Sequence, residues 1–158
     1  MLSFYILISQ IGSEGFTVGI LLFIVLLLSE KNHKKDFYII LFTTIVAMLV
    51  TFSLKYLLQI PRPESMLIPT DGYRFPSGHA TMASVVMCLG IYYSYTYIKN
   101  HYVRSIFCVG FIGWYFLVSY SRLYLQVHYP VDVVVGGIIG FLATTLVLRL
   151  VRRSFSSS

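Results

Sequence analysis

The sequence predicts an all-α integral membrane protein, a single helical bundle of about five transmembrane helices. Three observations carry that expectation. Of 158 residues, 57% are hydrophobic and only 11% are charged. Mean hydropathy is +0.78, well above that of ordinary water-soluble domains. The apolar residues also fall into runs close to the length needed to cross a bilayer, separated by short polar segments. The net charge of +6 does not form a basic stripe, and most of it lies between the apolar runs, so a nucleic-acid partner is excluded.

The first apolar stretch, from about Leu2 to Ser29, is interrupted by Ser9, Gln10, Ser13, Glu14 and Gly15. It reads either as one long tilted span or as an interfacial helix over residues 1–15 followed by a short span, with Glu14 at the water interface. Met1-Leu2-Ser3-Phe4 lacks the basic start of a cleaved signal peptide. A polar loop from Glu30 to Asp36 leads to a second span over Phe37 to about Leu58, with Lys55 one turn from its end. Residues 59–76 form a proline-containing polar loop, and Ser77 reads as the N-cap of a third span from about His79 to Ile98. After the basic turn Lys99–Arg104, a fourth span covers Ser105 to about Tyr120 and a fifth Val131 to about Val151. Residues 152–158 read as a solvated tail. The whole chain, 1–158, reads as one domain. Gly136, Gly137 and Gly140 are small-residue positions suited to close helix packing. Cys88 and Cys108 lie in different apolar runs and read as small buried hydrophobes.

Loop charge sets the topology. Lys31, Lys34, Lys35, Lys99, Arg104, Arg149, Arg152 and Arg153 fall on one side, and Lys55, Arg62, Arg74 and Arg122 on the other. The richer side is expected to be cytoplasmic, with the N-terminus outside and the C-terminus inside. His33 and His101 then lie in cytoplasmic loops as solvated side chains, while His79, His128 and Asp132 share the external face with the four remaining cations.

Within Ser121–Asp132, ionisable residues interrupt an otherwise apolar chain, and such groups beside membrane segments point to function. Pro130 suits the first turn of a helix. His128 then sits at its lip with Asp132 four residues on, where a carboxylate can orient one imidazole nitrogen and leave the other as an outward lone pair. Lys55, Arg62 and Arg122 are fixed cations suited to phosphate. Ser77 and Gly78 open a helix whose first N–H groups favour an anion. This set supports His128 as nucleophile on phosphorus, His79 as general acid and base, and the cations as stabilisers of equatorial charge. The competing chemistry is a two-histidine, one-carboxylate metal site, which three adjacent cations disfavour. A lone lysine such as Lys55 is otherwise read as snorkelling. Arg74, Glu64 and Asp71 are read as loop residues outside the catalytic set, and the abundant Tyr and Phe as interfacial belts.

Three motifs, Lys55-x6-Arg62-Pro63, Pro76-Ser77-Gly78-His79 and Ser121-Arg122-x5-His128-x3-Asp132, together resemble the signature of the type 2 phosphatidic acid phosphatase superfamily, which includes vanadium haloperoxidases. The resemblance runs from about Lys55 onward. It implies a helical membrane bundle acting without metal or other cofactor. His128 would be the nucleophile, His79 the acid/base and Asp132 its orienter, with Lys55, Arg62, Ser77, Gly78 and Arg122 binding phosphate. Membrane members of the family commonly place the first motif after a third span; here it follows the second. The expected activity is release of a terminal phosphate from a membrane lipid phosphate or diphosphate through a phosphohistidine. Undecaprenyl diphosphate, phosphatidylglycerol phosphate, phosphatidate and lipid A are the substrate types, and the expected location is the outer face of a bacterial cytoplasmic membrane. The expected partners are that lipid substrate and the bilayer. A lipid phosphotransferase would use the same residues, and a non-catalytic lipid-binding or transport protein would need only the cations.

Overall fold

The computed structural model describes residues 1–29 and 34–156 and folds them into six helices: α1 Leu2–Ile11, α2 Glu14–Ser29, α3 Lys34–Leu58, α4 Gly78–Tyr97, α5 His101–Tyr124 and α6 Pro130–Ser156. There is no strand among the described residues. Three helices, α3, α5 and α6 (through Val151), are long and apolar enough to cross a membrane, and α1 with α2 qualifies as a fourth, bent by 41°. At 1.5 Å rise per residue, the 25 residues of α3 extend about 37 Å, enough for a bilayer core.

The first apolar stretch is therefore two helices, with the break at Gly12–Ser13. Gly12 is required there, because a Cβ would press on Val118 of α5 at 2.8 Å. α5 starts four residues earlier than its hydrophobicity implies, since the Asn100 side chain caps Tyr102 and Val103. α3 begins at Lys34, and the rest of the expected Glu30–Asp36 loop, with His33, lies outside the described residues. The expected tail is helical through Ser156; residues 157–158 lie outside the described residues.

α4 is the central helix. Its Met82, Val85 and Leu89 join Leu21, Ile39, Ile40, Ala47, Ala143, Val147 and Val151 in the main core, drawn from α2, α3, α4 and α6. The glycines of α6 let it press on α4: a Cβ on Gly136 would strike the Ser77 carbonyl, and one on Gly140 the Thr81 carbonyl. Ser84 Oγ donates to the Gly137 carbonyl across the same seam at 2.8 Å. Outward faces carry exposed apolar residues such as Leu57, Phe116 and Phe141, as helices facing lipid should.

The site end of the bundle is made by helix termini. α3 and α5 both stop at a glutamine in the left-handed region, Gln59 at φ 47° and Gln126 at φ 55°, which turns the chain out of each helix. Loop 59–77 then packs over loop 125–129 through Leu67 N–H to the Leu125 carbonyl (3.1 Å) and Arg74 N–H to the Ile60 carbonyl (3.0 Å).

Candidate active site

Pro130 occupies the first turn of α6, as its ring favours, and Asp132 lies one turn after His128. Asp132 Oδ2 accepts the Tyr129 N–H at 2.9 Å, the backward half of a capping box, so the carboxylate is locked to the helix start. Its Oδ1 is ion-paired with Arg74. The same Oδ2 lies 3.4 Å from His128 Nδ1, an ion-pair distance at which the hydrogen-bond angle is not closed. Both side chains are almost fully buried. The other imidazole nitrogen, Nε2, faces Arg62 Nη1 at 3.5 Å. The nucleophile candidate thus has one nitrogen toward a carboxylate and one toward a phosphate-binding candidate.

Burial in a nest of cations holds His128 well down, at about 4. Burial is the largest cause, Asp132 opposes it, and Arg122, Arg62 and Lys55 add to it. The ring is therefore neutral at physiological pH, the form with a free lone pair.

Arg62 is held by the loop backbone: Nε donates to the Asp71 and Gly72 carbonyls at 3.2 and 3.1 Å, and Nη1 to the Val127 carbonyl at 3.1 Å. Lys55, in the last turn of α3, donates to the Tyr73 carbonyl at 2.8 Å and is 8% exposed. Arg122, 2% exposed in the last turn of α5, is hydrogen-bonded to Ser9 of α1, while its Nε has no hydrogen-bond partner in the protein. A buried guanidinium donor left without an acceptor suits an anionic ligand. Ser77 is wholly buried; its Oγ caps the Ala80 N–H at 3.5 Å and its N–H donates to the Asp132 carbonyl at 3.0 Å, tying α4 to α6. Gly78 is the first residue of α4, where N–H groups lack intrahelical acceptors. His79 follows, with Nδ1 3.8 Å from Glu14 Oε1.

The residues singled out from sequence thus gather at one end of the bundle, and two of them, Lys55 and Arg62, line a cavity of about 200 Å³ there together with Glu14, Phe52, Tyr56, Asp71, Gly72 and Tyr73. Three neighbours were not among them. Arg74, set aside as a loop residue, clamps Asp132 and lies 4.7 Å over the Tyr129 ring. Ser9 holds Arg122. Glu14, expected at the water interface, is turned inward against Gly78 and His79. The polar interruption of the first apolar stretch was the available signal for Ser9 and Glu14; nothing local distinguishes Arg74. Among the described residues, no three His, Cys, Asp or Glu side chains are arranged to share a metal ion.

The chain is also similar to known proteins. Residues 36–156 match the family model of the PAP2 superfamily. The undecaprenyl-diphosphatase of Sulfolobus acidocaldarius is 30% identical over 122 residues, covering 73% of this chain and 55% of that protein. Phosphatidylglycerophosphatase B of Haemophilus influenzae is 27% identical over 82 residues, 52% of this chain and 34% of the relative. The lipid A 4'-phosphatase of Bacteroides thetaiotaomicron is 38% identical over 91 residues, 50% and 35% of the two chains. The chain therefore spans between about a third and just over half of these relatives. Among solved structures, Aquifex aeolicus LpxE superposes with a TM-score of 0.71 at 25% identity, covering 94% of this chain and 85% of that one. A PAP2-type phosphatidylglycerolphosphate phosphatase from Bacillus subtilis shares the fold, with a TM-score of 0.73 at 23% identity over 96% and 77% of the two chains. With all three motifs at one end of the bundle and a family match over most of the sequence, the chain belongs to the PAP2 superfamily.

Proposed function

We propose that this protein is a membrane lipid phosphatase that removes a terminal phosphate from a phosphorylated lipid through a phosphohistidine. The observation that carries this reading is the His128 ring, with Nδ1 toward Asp132 and Nε2 beside Arg62. His128 Nε2 attacks phosphorus in line, the P–O bond to the lipid breaks, and His79 gives a proton to the leaving oxygen. Water then attacks the phosphohistidine while His79 takes a proton back, releasing phosphate and restoring both rings. Lys55, Arg62, Arg122, the Ser77 hydroxyl and the Gly78 N–H bind the phosphate oxygens and offset their charge.

The substrate class follows from the cavity wall. Phe52 and Tyr56 line the cavity and are also exposed on the outer flank of α3, beside Leu57 at 78% exposure. A headgroup reaches the cations while its chains stay in the bilayer. The named activities of the relatives, on undecaprenyl diphosphate, phosphatidylglycerophosphate and lipid A, share that chemistry. We read the bundle as five spans, α4 being the one added to the apolar set, with the site on the outer face of a bacterial cytoplasmic membrane. The test is phosphate release by purified protein from a panel of lipid mono- and diphosphates with chelator present, beside His128→Ala. Chelator-resistant release by the wild type alone is expected; release by both proteins, or release abolished by chelator, overturns the reading.

A further inference from the structure

The first bent span contributes to the site although the three motifs begin at Lys55. α2 starts at Glu14, and its carboxylate is directed into the bundle rather than outward. It rests against Gly78 so closely that a Cβ there would collide with it. Its Oε1 lies 3.8 Å from His79 Nδ1. The pair is poorly exposed, 16% for the histidine side chain and 22% for the glutamate. The 41° bend between α1 and α2 falls just before Glu14, at Gly12, where there is no room for a Cβ against Val118.

The site therefore holds two histidine–carboxylate pairs. His128 faces Asp132 at 3.4 Å, and His79 faces Glu14 at 3.8 Å. We infer that Glu14 is the positioning residue of the acid/base histidine: it holds the His79 ring by Nδ1 so that the opposite nitrogen delivers a proton to the leaving oxygen. This rests on the phosphatase reading above and adds to it a residue from outside the three motifs. A carboxylate on one imidazole nitrogen fixes both the tautomer and the ring plane. Neutralising cations is the lesser alternative, since Glu14 also lies within electrostatic reach of Lys55, Arg62 and Arg122.

The two roles separate by leaving group. When the P–O bond to an alkyl lipid breaks, the alkoxide needs a proton in the transition state; a nitrophenolate leaving group does not. Because kcat/KM covers only the steps through release of the leaving group, hydrolysis of the phosphohistidine does not enter it. The experiment measures kcat/KM of wild type, Glu14→Gln and Glu14→Asp in detergent on a long-chain alkyl phosphate and on p-nitrophenyl phosphate. Glu14→Gln is expected to lose at least about tenfold more on the alkyl than on the aryl substrate, within the 10²–10⁴-fold scale of general acid catalysis. Glu14→Asp, which keeps the charge, is expected to recover part of the alkyl activity, and it carries the test if the glutamine variant does not fold. Equal losses on both substrates, or tighter orthophosphate inhibition with no leaving-group bias, overturn the assignment in favour of structure or charge balance. A wild type inactive on both substrates refutes the phosphatase reading itself, which is a different result.

Discussion

At the scale of single residues, the site works through partners that hold each side chain. Asp132 is engaged three ways, by Tyr129 N–H, Arg74 and the His128 ring, so it has one geometry. Arg74→Ala should free that carboxylate and reduce kcat by about 10–100-fold, the scale on which losing the outer partner of a ligating side chain acts in metal sites. Substrate affinity should change little, because Arg74 faces Asp132 rather than the cavity; a raised KM with unchanged kcat would contradict this. The low value for His128 gives a second prediction. An ordinary imidazole charges near 6.5, whereas this one stays neutral down to about pH 4. Its NMR ring signals, assigned by comparison with His128→Gln, should titrate near 4, and titration near 6.5 would show that burial and the cations are not felt. The sign extends to stability. The unfolded chain takes up this proton below about 6.5 and the folded chain only near 4, so stability contributed by the neutral ring falls as pH drops through that window. The facing of His128 and Asp132 was legible in the sequence because their four-residue spacing is local and chemically unusual. Arg74 was not, because one arginine in a polar loop looks like any other until the 58-residue separation from Asp132 is closed by folding.

At the scale of elements, helix packing places the ends that carry the candidate site. The α4–α6 seam brings the first residues of α4 against the first turns of α6, and glycine makes that approach possible. Gly136→Ala should strike the Ser77 carbonyl and Gly140→Ala the Thr81 carbonyl, each costing about 1–3 kcal/mol as overpacking does. Gly136→Ala should lose more activity than its stability change accounts for, because the displaced group belongs to the α4 cap. Gly110→Ala and Gly113→Ala are the controls, since a Cβ there meets nothing within 4 Å; thermal unfolding in detergent should leave them unchanged or slightly raised. Equal melting temperatures for all four would mean the seam is looser than described. The close packing of these glycines was readable from their spacing in an apolar run. The bend between α1 and α2 was readable only as an interruption, because polar residues at Ser9–Gly15 mark a break without saying which way it turns. Gly12 packs against Val118, more than a hundred residues away, a contact that exists only in the fold.

At the scale of the molecule, charge and hydrophobicity set how the bundle sits in a membrane, and that orientation determines which lipid pool the site meets. The site end holds Lys55, Arg62, Arg74 and Arg122, all engaged in fixed contacts with the backbone or with site side chains. Lys34 and Lys35, Lys99, Arg104 and Arg149 cluster toward the other end, where Arg104 lies 4.6 Å over the Tyr95 ring. The loop bias that orients a membrane protein is eight basic residues against four. The site end should therefore face outward. In a background with Cys88 and Cys108 replaced, Ser65→Cys places a thiol on the exposed loop above the site and Lys99→Cys places one in the turn between α4 and α5. A membrane-impermeant maleimide should label position 65 in intact cells and position 99 only after permeabilisation. The reverse pattern would put the site on the cytoplasmic face, and with it a lipid made and dephosphorylated without crossing the membrane. Labelling at 65 in intact cells instead confines the substrate to lipids already displayed on the outer leaflet. That would place the reaction after the step that flips them.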